Sequence, residues 1–461
     1  MGSAGIEHPR KRCGALLAPA ALCVLLACSG AGAGKTAYVG ATLWDGTGSP
    51  VIHDAVIIVN GTRIEEMGPP DLVKVPRGAD VRRMDGKWIV PGLIDSHVHL
   101  ERWMLEPLLA YGVTAVRDLG GHQDSVLALR DALSLGTILG PRYFISGAMI
   151  DGAPATSPNG QGVRSAHEGR RAVDERVLME ASHATIGTKI NRQIFKELMH
   201  EAKVLRLPVA AQLGRVDAKT AAAEGVYTIE GLSGIVEATV ANPGAYFRAH
   251  SDYYTGLKMS LRGWNNLDSA GLDRTAAALA ETRVVMVPTL TSLKAFAHLQ
   301  DRSYEDSLDL SALPPGVSES WAIPSLVRRA GLRGSDFSAF RRALSKQALF
   351  LRRFKAAGGI IVAGSDTPNP LLAPGTSLHD ELKALVDAGL TEKEALLAAT
   401  RDAGRMMGAD SLGVLTTGGL ADFIVVDGDP LADIENIRRI YLIVFRGIEQ
   451  TKEGLLLPPP S

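Results

Sequence analysis

The chain has few of the features that would place it in a specialised class of protein. Only three of its 461 residues are cysteines, and Cys13, Cys23 and Cys28 all lie within the first 28 positions. The rest of the chain therefore has no disulfide framework and no thiolate metal site. Aromatic residues make up only 5% of the chain, and 49 basic residues nearly balance 50 acidic ones. No net charge is present to attract nucleic acid or an anionic membrane, so the expected partner is a small molecule bound at a local site.

What the chain does have is the composition and length of a large folded protein. It is 46% hydrophobic and 21% charged, which excludes disorder as its dominant state. Its 461 residues exceed the roughly 250 of one α/β barrel. We therefore expect one large domain together with a smaller accessory domain.

Residues 1–27 resemble a bacterial lipoprotein signal peptide. The basic residues 10–12 precede an uncharged apolar run, 15–27, which is shorter than the roughly 20 residues of a membrane-spanning helix. The run ends in Leu-Leu-Ala-Cys, similar to a lipobox, so cleavage before Cys28 would leave a lipid anchor there, and Ser29 favours the outer membrane. The alternative is ordinary cleavage after Ala33, which gives a soluble periplasmic or secreted protein. Both interpretations predict export, and only the lipoprotein interpretation predicts a membrane attachment, through a lipid on Cys28.

Strand-like sequence lies at both ends of the chain. Within residues 37–88, two β-rich runs flank Asn60-Gly61, the strongest short hairpin signal. Beyond residue 411, β-rich runs return at 421–426 and 440–445. We predict that residues 37–88 and 411–455 form one composite β-sandwich domain, because a barrel between them would bring its own two ends together.

The intervening residues 89–410 have the pattern of a TIM (β/α)8 barrel. Short apolar runs alternate with longer amphipathic stretches, which is typical of parallel strands connected by helices. Amphipathic stretches predict helices at 124–135, 380–388 and 391–400, the last beginning with a Thr cap. Eight runs are counted, at 88–94, 113–116, 143–146, 186–190, 208–211, 226–229, 284–287 and 360–363.

The first predicted barrel strand leads into a His-x-His motif. His97 and His99 follow the apolar sequence Trp-Ile-Val-Pro-Gly-Leu-Ile. Residues i and i+2 of a strand point to the same side, so both imidazoles would project together at the carboxyl end of the strand. Neutral imidazoles at this spacing bind a divalent transition metal such as zinc. Because chance alone gives about a quarter of one such pair in this composition, the strand context is what makes the motif informative.

Asp366 follows the last apolar run, 360–363, and so lies at the carboxyl end of a predicted strand, as His97 and His99 do. The eighth strand of a closed barrel neighbours the first, so the Asp366 carboxylate would reach a metal held by His97 and His99. The plainer interpretation is that Asp366 caps a following helix.

Together these stretches resemble the amidohydrolase superfamily, in particular its imidazolonepropionase and prolidase-like members. The similarity spans about residues 37–448; the matching segments are 91–99, 187–190, 363–367, 413–422 and 429–431. It implies a barrel with a β-sandwich built from both ends. It also implies two metals, the first on His97, His99 and Asp366. Lys189 matches the position of a carbamylated lysine that bridges the metals.

The chain departs from the family pattern at the second metal. Gln212 and Gly231 stand where the resemblance leads us to expect His ligands on the fifth and sixth strands. A glutamine oxygen is a harder and weaker zinc ligand than imidazole, and glycine has no side chain. Three outcomes follow: a mononuclear hydrolase, a binuclear site with a weak second metal on Gln212, or a catalytically silent relative.

The predicted activity is metal-dependent hydrolysis of a C–N bond in an amide, cyclic amide or dipeptide-like substrate. One divalent metal, zinc, is expected per chain, with two as the alternative. Asp366 would take a proton from water and pass it to the leaving nitrogen. Loops after the strands, including His122 and residues 288–291, would contact the substrate. The rival hypothesis is an envelope protein that keeps the barrel as a binding or structural module.

Overall fold

The computed structural model describes residues 34–457. The predicted signal peptide, residues 1–27, and the predicted lipidation site Cys28 lie outside this range. Among the helices of residues 34–457, none is long and apolar enough to cross a membrane.

Strands and helices alternate along most of the described chain. The strands are β1 Lys35–Leu43, β2 Ile52–Asn60, β3 Arg63–Gly68, β4 Asp80–Arg83, β5 Lys87–Pro91, β6 Leu93–Val98, β7 Val113–Asp118, β8 Arg142–Ile145, β9 Ile150–Gly152, β10 Gln161–Val163, β11 Ala184–Ile186, β12 Val209–Ala211, β13 Thr228–Glu230, β14 Val285–Val287, β15 Ile360–Ile361, β16 Phe423–Asp427, β17 Ile440–Phe445 and β18 Ile448–Gln450.

The helices are α1 Leu105–Ala110, α2 Gln123–Ser134, α3 Ala166–Leu178, α4 Arg192–Val204, α5 Ala218–Ala223, α6 Ile235–Thr239, α7 Gly244–Ala249, α8 Tyr253–Gly263, α9 Ser269–Glu281, α10 Leu290–Ala297, α11 Arg302–Glu305, α12 Val317–Ser320, α13 Ile323–Arg329, α14 Gly334–Ala356, α15 Thr376–Asp387, α16 Glu392–Ala398, α17 Arg401–Met406 and α18 Lys452–Leu456. Three short 3-10 helices lie at Arg102–Met104, Trp264–Asn266 and Ile434–Arg438.

One mixed sheet combines strands from both ends of the described chain. Its order is β18-β17-β16-β5-β1-β2-β3, with β4 also paired to β1. The predicted hairpin is present, since Asn60 of β2 pairs with Arg63 of β3. Tyr38 of β1 packs edge-on against Phe423 of β16, with ring centroids 5.1 Å apart. Apolar side chains from both ends thus share one core, while the sandwich form and the domain boundaries stay predictions.

The other strands are parallel and form a ring, which confirms the predicted α/β class. They lie in two sheets, β6-β7-β8 and β10-β9-β11-β12-β13-β14-β15. Backbone hydrogen bonds join the sheets on both sides: Ser182 N donates to Ile145 O at 2.9 Å, and Ser96 N donates to Ala363 O at 3.0 Å. The second bond places the segment after β15 beside β6. The closing side of the ring is where His97, His99 and Asp366 lie.

The apolar run 88–94 does not form the one barrel strand that the sequence predicted. Its first part belongs to the mixed sheet and its last part to the ring of parallel strands. β5 ends at Pro91 in the mixed sheet, and β6 begins at Leu93 in the ring. Between them Gly92 crosses close to Thr114, whose side-chain atoms would lie 2.3–2.9 Å from a Cβ at position 92. Only glycine permits this approach, so the chain changes sheets within one residue.

The amphipathic segments fold as the helices that the sequence predicts. α2 and α15 cover the stretches at 124–135 and 380–388. α16 begins after Thr391, whose hydroxyl accepts from Glu394 N while the Glu394 carboxylate accepts from Thr391 N. This capping box satisfies backbone donors that the helix itself leaves free.

Candidate metal centre and active-site cavity

Two imidazoles meet at the carboxyl end of β6. His97 lies on the strand and is 5% exposed, and His99 follows one residue after its end. Their rings stand edge to face with centroids 5.6 Å apart. The i, i+2 spacing therefore places both side chains on one side, as the sequence predicts.

Asp366 joins this pair from the segment after β15. Its Oδ1 lies 3.2 Å from His97 Nε2 and 3.5 Å from His99 Nε2. One ligand atom from each of the three residues lies within 4.8 Å of the other two. Ser292 Oγ, on α10, donates to the other carboxylate oxygen, Oδ2, at 2.7 Å. The structure thus brings together the three side chains that the sequence pairs with the first metal.

Backbone hydrogen bonds to β6 hold Asp366 in place. Asp366 N donates to His97 O at 2.8 Å, and its φ of 63° lies in the left-handed region. The preceding residue, Ser365, donates from its N and Oγ to the buried Asp95 carboxylate at 2.9 and 2.5 Å. Aspartate tolerates the left-handed conformation better than most residues. The strained turn aims the carboxylate at the imidazoles.

The Nδ1 atoms of both imidazoles, which point away from Asp366, have hydrogen-bond partners. His99 Nδ1 lies 2.9 Å from Gly120 O, and a carbonyl oxygen only accepts, so Nδ1 carries the proton. His97 Nδ1 lies 2.8 Å from Glu230 Oε2. With its proton at Nδ1, each ring in the neutral form would present an Nε2 lone pair on the side where Asp366 lies. This outer support is typical of metal-binding histidines, so the donor set fits a divalent metal.

Glu230 is itself part of a buried polar network. Its Oε1 accepts from Arg117 Nη2 at 2.7 Å and from Thr228 Oγ1 at 2.5 Å. Arg117 also donates to Thr228 Oγ1 at 3.0 Å and to Ser96 O at 2.7 Å. The guanidinium and the carboxylate are 3% and 1% exposed in their side chains. Each charge thus has a partner away from water, which is the condition for burying an ion pair.

The charges of this network shift one another's pKa values. Burial raises the pKa of Glu230, but the Arg117 charge and the hydrogen bond from His97 outweigh it and hold that pKa at about 2. Burial lowers the pKa of His97, and the Asp366 and Glu230 carboxylates reverse this effect and raise it to about 10. For Asp366 the burial effect is likewise outweighed, and His97 and His99 lower its pKa. Without a metal the site therefore binds a proton on His97, which a metal would have to displace.

A cavity of about 190 Å³ lies beside this centre. His97, Asp366 and Gln212 line it together with Tyr253, and so does the backbone of Gly231. The apolar part of its wall consists of Leu213, Leu232, Val236, Leu257, Leu261, Trp264, Leu293, Phe296, Leu299 and Leu326. A mostly apolar cleft with a few polar groups has the character of a small-molecule site.

The hydrogen-bond partners described for Lys189 do not include the three ligands. Its Nζ donates to the Pro154 carbonyl, and its backbone N donates to Asp151 Oδ1 at 2.8 Å. Thr188, its neighbour, lines the cavity, whereas Lys189 does not. A bridging role for Lys189 stays a prediction.

His122 also lies away from the cavity wall. It is exposed and forms the N-cap of α2. In the same loop the Gly120 carbonyl supports His99, as described above. Of the second predicted loop, Thr289 does line the cavity. Substrate contact by His122 stays a prediction.

Comparisons with known proteins agree with this arrangement. The model of the amidohydrolase family matches residues 88–448. An imidazolonepropionase of Caulobacter vibrioides, strain NA1000 / CB15N, is 41% identical over 53 residues, 12% of this chain and 13% of that protein. The chain therefore matches about one eighth of that relative's length.

Solved structures share the fold over most of the chain. Bottromycin amidohydrolase superposes with a TM-score of 0.72 at 21% identity, covering 91% of this chain and 88% of that one. A Xaa-Pro dipeptidase superposes with a TM-score of 0.64 at 19% identity, covering 90% of this chain and 100% of that one. Ochratoxinase of A. niger superposes with a TM-score of 0.63 at 17% identity, covering 91% of this chain and 96% of that one. At these identities the likeness concerns the fold alone.

Proposed function

Because the chain belongs to the amidohydrolase family, we propose that it is a mononuclear metal-dependent hydrolase of a C–N bond in an amide, cyclic amide or dipeptide-like substrate. The supporting observation is the convergence of His97, His99 and Asp366 atoms within 4.8 Å beside the cavity. Two imidazoles and a carboxylate suit zinc among the common divalent metals. The family assignment supports the prediction of an enzyme acting on C–N bonds, and one zinc ion per chain is part of the proposal.

Each side chain of the site has its own role in the proposed hydrolysis. A divalent metal bound there would polarise the substrate carbonyl and lower the pKa of water. As water adds to the carbonyl carbon, Asp366 would accept its proton, and it would deliver that proton to the nitrogen as the C–N bond breaks. Ser292, which donates to Asp366 Oδ2 at 2.7 Å, orients the carboxylate. Glu230 holds a proton on His97 Nδ1 and so keeps Nε2 available as a ligand.

Metal content tests the proposal directly. After loading with zinc, manganese or cobalt, elemental analysis should find about one equivalent in the wild type. His99→Ala should retain much less, because it removes a ligand, whereas His200→Ala, at an exposed position of α4, should bind as the wild type does. Below about 0.2 equivalents in the wild type, the metal proposal fails. A metal-loaded protein that hydrolyses no amide, cyclic imide or dipeptide in a broad screen would instead favour the binding module.

Restoring the missing histidines should add a second metal. Gly231 has space for a side chain, since a Cβ there would meet only Thr289 Oγ1, at 3.6 Å. Its φ of +61° will cost a non-glycine residue about 1–2 kcal/mol. We expect the double variant Gln212→His, Gly231→His to bind about two equivalents of zinc and each single variant about one.

Gly231→Ala is the matched control for this double variant. It carries the backbone strain without a ligand, so it should lose thermal stability and keep about one equivalent. Two equivalents in the wild type would contradict the mononuclear proposal and favour a second metal on Gln212.

A further inference from the structure

A second polar cluster borders the same cavity, away from the three metal ligands. Glu237 on α6, His250 after α7 and Ser260 on α8 all line the cavity. Glu237 and His250 are 2% and 4% exposed. Glu237 Oε1 lies 3.2 Å from His250 Nε2 and accepts from Ser260 Oγ, which is 3.1 Å from the same Nε2. Two residues from separate helical segments, His250 and Ser260, thus converge on one carboxylate oxygen of Glu237.

The other carboxylate oxygen of Glu237 has no hydrogen-bond partner within residues 34–457. A buried acceptor without a donor destabilises a fold by about 1–3 kcal/mol, and more when it is charged. Because Glu237 lines the cavity, a donor on a bound molecule would satisfy Oε2 there. The protein therefore keeps an unsatisfied acceptor on a residue of the cavity wall.

The cluster is built to hold its geometry. A Cβ at Gly214 would lie 2.6 Å from His250 Nδ1, and one at Gly256 would lie 2.3 Å from it. Two glycines thus make room for the imidazole and keep it against Glu237. Both contacts are closer than real Cβ atoms allow, so any larger residue would move the ring.

The cluster does not have the geometry of a serine nucleophile. A catalytic histidine contacts the hydroxyl with one ring nitrogen and the acid with the other. Here Nε2 of His250 faces both Ser260 and Glu237, and Nδ1 faces the two glycines. The arrangement orients the Glu237 carboxylate and does not activate Ser260.

The charges around the cavity indicate what Glu237 would bind. Within the described chain, the lining side chains include Glu230, Glu237 and Asp366 but no Lys or Arg. Glu230 is paired with Arg117, and Asp366 faces the two histidines. Only Glu237 offers a carboxylate oxygen with no donor. An anionic substrate group would find no Lys or Arg on this wall, whereas a cationic nitrogen would find an acceptor on Glu237.

We infer that Glu237 is a specificity-determining residue that accepts hydrogen bonds from a positively charged nitrogen group of the substrate, carried on an apolar arm. The arm would pack on Leu257, Trp264 and Phe296, which line the same cavity. This inference rests on the proposed hydrolase function, because it names the substrate class of that site. It selects substrates with a guanidinium or ammonium group over neutral and acidic ones.

A matched pair of probes tests the inference without turnover. Phenethylguanidinium and phenethylurea have the same shape, and only the first is charged. By calorimetry on zinc-loaded wild type, we expect the guanidinium to bind about tenfold more tightly, as for a charge-assisted hydrogen bond. Glu237→Gln should reduce this preference to less than about twofold, and Glu281→Gln, at an exposed position of α9, should preserve it.

Two results would overturn the inference. One is equal binding of both probes by the wild type, which needs no variant and so stands even if Glu237→Gln folds poorly. The other is a full guanidinium preference in Glu237→Gln, which would place the cation on Asp366 or elsewhere. If the protein hydrolyses a C–N bond but shows no Glu237-dependent preference for the guanidinium probe, this inference alone is wrong. If it shows that preference but neither binds metal nor hydrolyses any substrate, the proposed function alone is wrong.

Discussion

Asp366→Asn should lower kcat for C–N hydrolysis by about 10³-fold, within the range found for the loss of a positioned acid–base group. The Asn amide nitrogen can neither accept the proton from water nor deliver one to the leaving nitrogen. The fold should remain, because Asn adopts the left-handed conformation at φ 63° at least as well as Asp does. The measurement is single-turnover hydrolysis of the best substrate from the screen, at saturating metal.

Metal occupancy separates chemistry from binding in this experiment. Asp366 is both a proposed ligand and the proposed acid–base group, so the rates must be compared at equal metal content. Asp387→Asn is the control, since Asp387 is exposed at the end of α15 and pairs with Lys383 on the same helix. If Asp366→Asn at equal occupancy keeps more than about a tenth of the wild-type kcat, another group moves the proton.

The three proposed ligands were predictable because each is specified by its own strand. A His-x-His pair at a strand end needs only the two-residue period, and Asp366 needs only the order of strands in a closed ring. The hydrogen bond from Asp366 N to His97 O shows that the first and last strands of the ring are neighbours, as predicted. Family resemblance added the expectation of a second metal and the absence of its ligands at Gln212 and Gly231.

The supports of these ligands were missed because they depend on contacts distant in sequence. Glu230 reaches His97 across 133 positions, and Arg117 reaches Glu230 across 113. The partner of His99 is a backbone carbonyl, that of Gly120, which leaves no residue-type signal. The alternation of Thr228 and Glu230 on β13 was a weak hint, since two polar residues at this spacing on an apolar strand share one face.

The Glu237 cluster escaped prediction for a related reason. Its three residues lie on separate helical segments between β13 and β14, and nothing in their spacing indicates that they meet. In the sequence, His250 lies too far along the chain from Gly231 to replace the missing ligand. Helices inserted after a barrel strand contribute to the cavity through their packing, which depends on shape complementarity and not on a short pattern.

Glu230→Gln should destabilise the protein by about 3–5 kcal/mol, the range for removing one partner of a buried ion pair. Glu230 has two accepting oxygens, one for Arg117 and one for His97, whereas Gln has only one. Either Arg117 Nη2 or the His97 Nδ1 proton then loses its acceptor, while the guanidinium keeps its bonds to Thr228 and Ser96. In metal titrations, affinity should fall about 10- to 100-fold, because His97 is no longer held with its proton on Nδ1.

The pH dependence of this loss identifies its cause. The pKa of Glu230 is lowered from 4.5 to about 2 in the folded chain, so its ionised form stabilises the protein fully above pH 4.5. That contribution disappears as the pH falls toward 2. In chelator-treated protein, the difference in unfolding free energy between wild type and Glu230→Gln should therefore shrink with acidification below pH 4.5.

Glu381→Gln is the matched control, because Glu381 is buried and forms no ion pair within residues 34–457. Burial raises its pKa to about 8, so the carboxyl is mostly protonated at pH 7 and resembles an amide. Its Oε2 accepts from Thr291 N at 2.7 Å, a bond that a Gln carbonyl can replace. We expect this substitution to change stability by less than about 1 kcal/mol. Equal losses in the two variants would mean that burial alone, and not the Arg117–Glu230–His97 network, sets the cost, and Glu230 would then have no special part in holding the metal ligand.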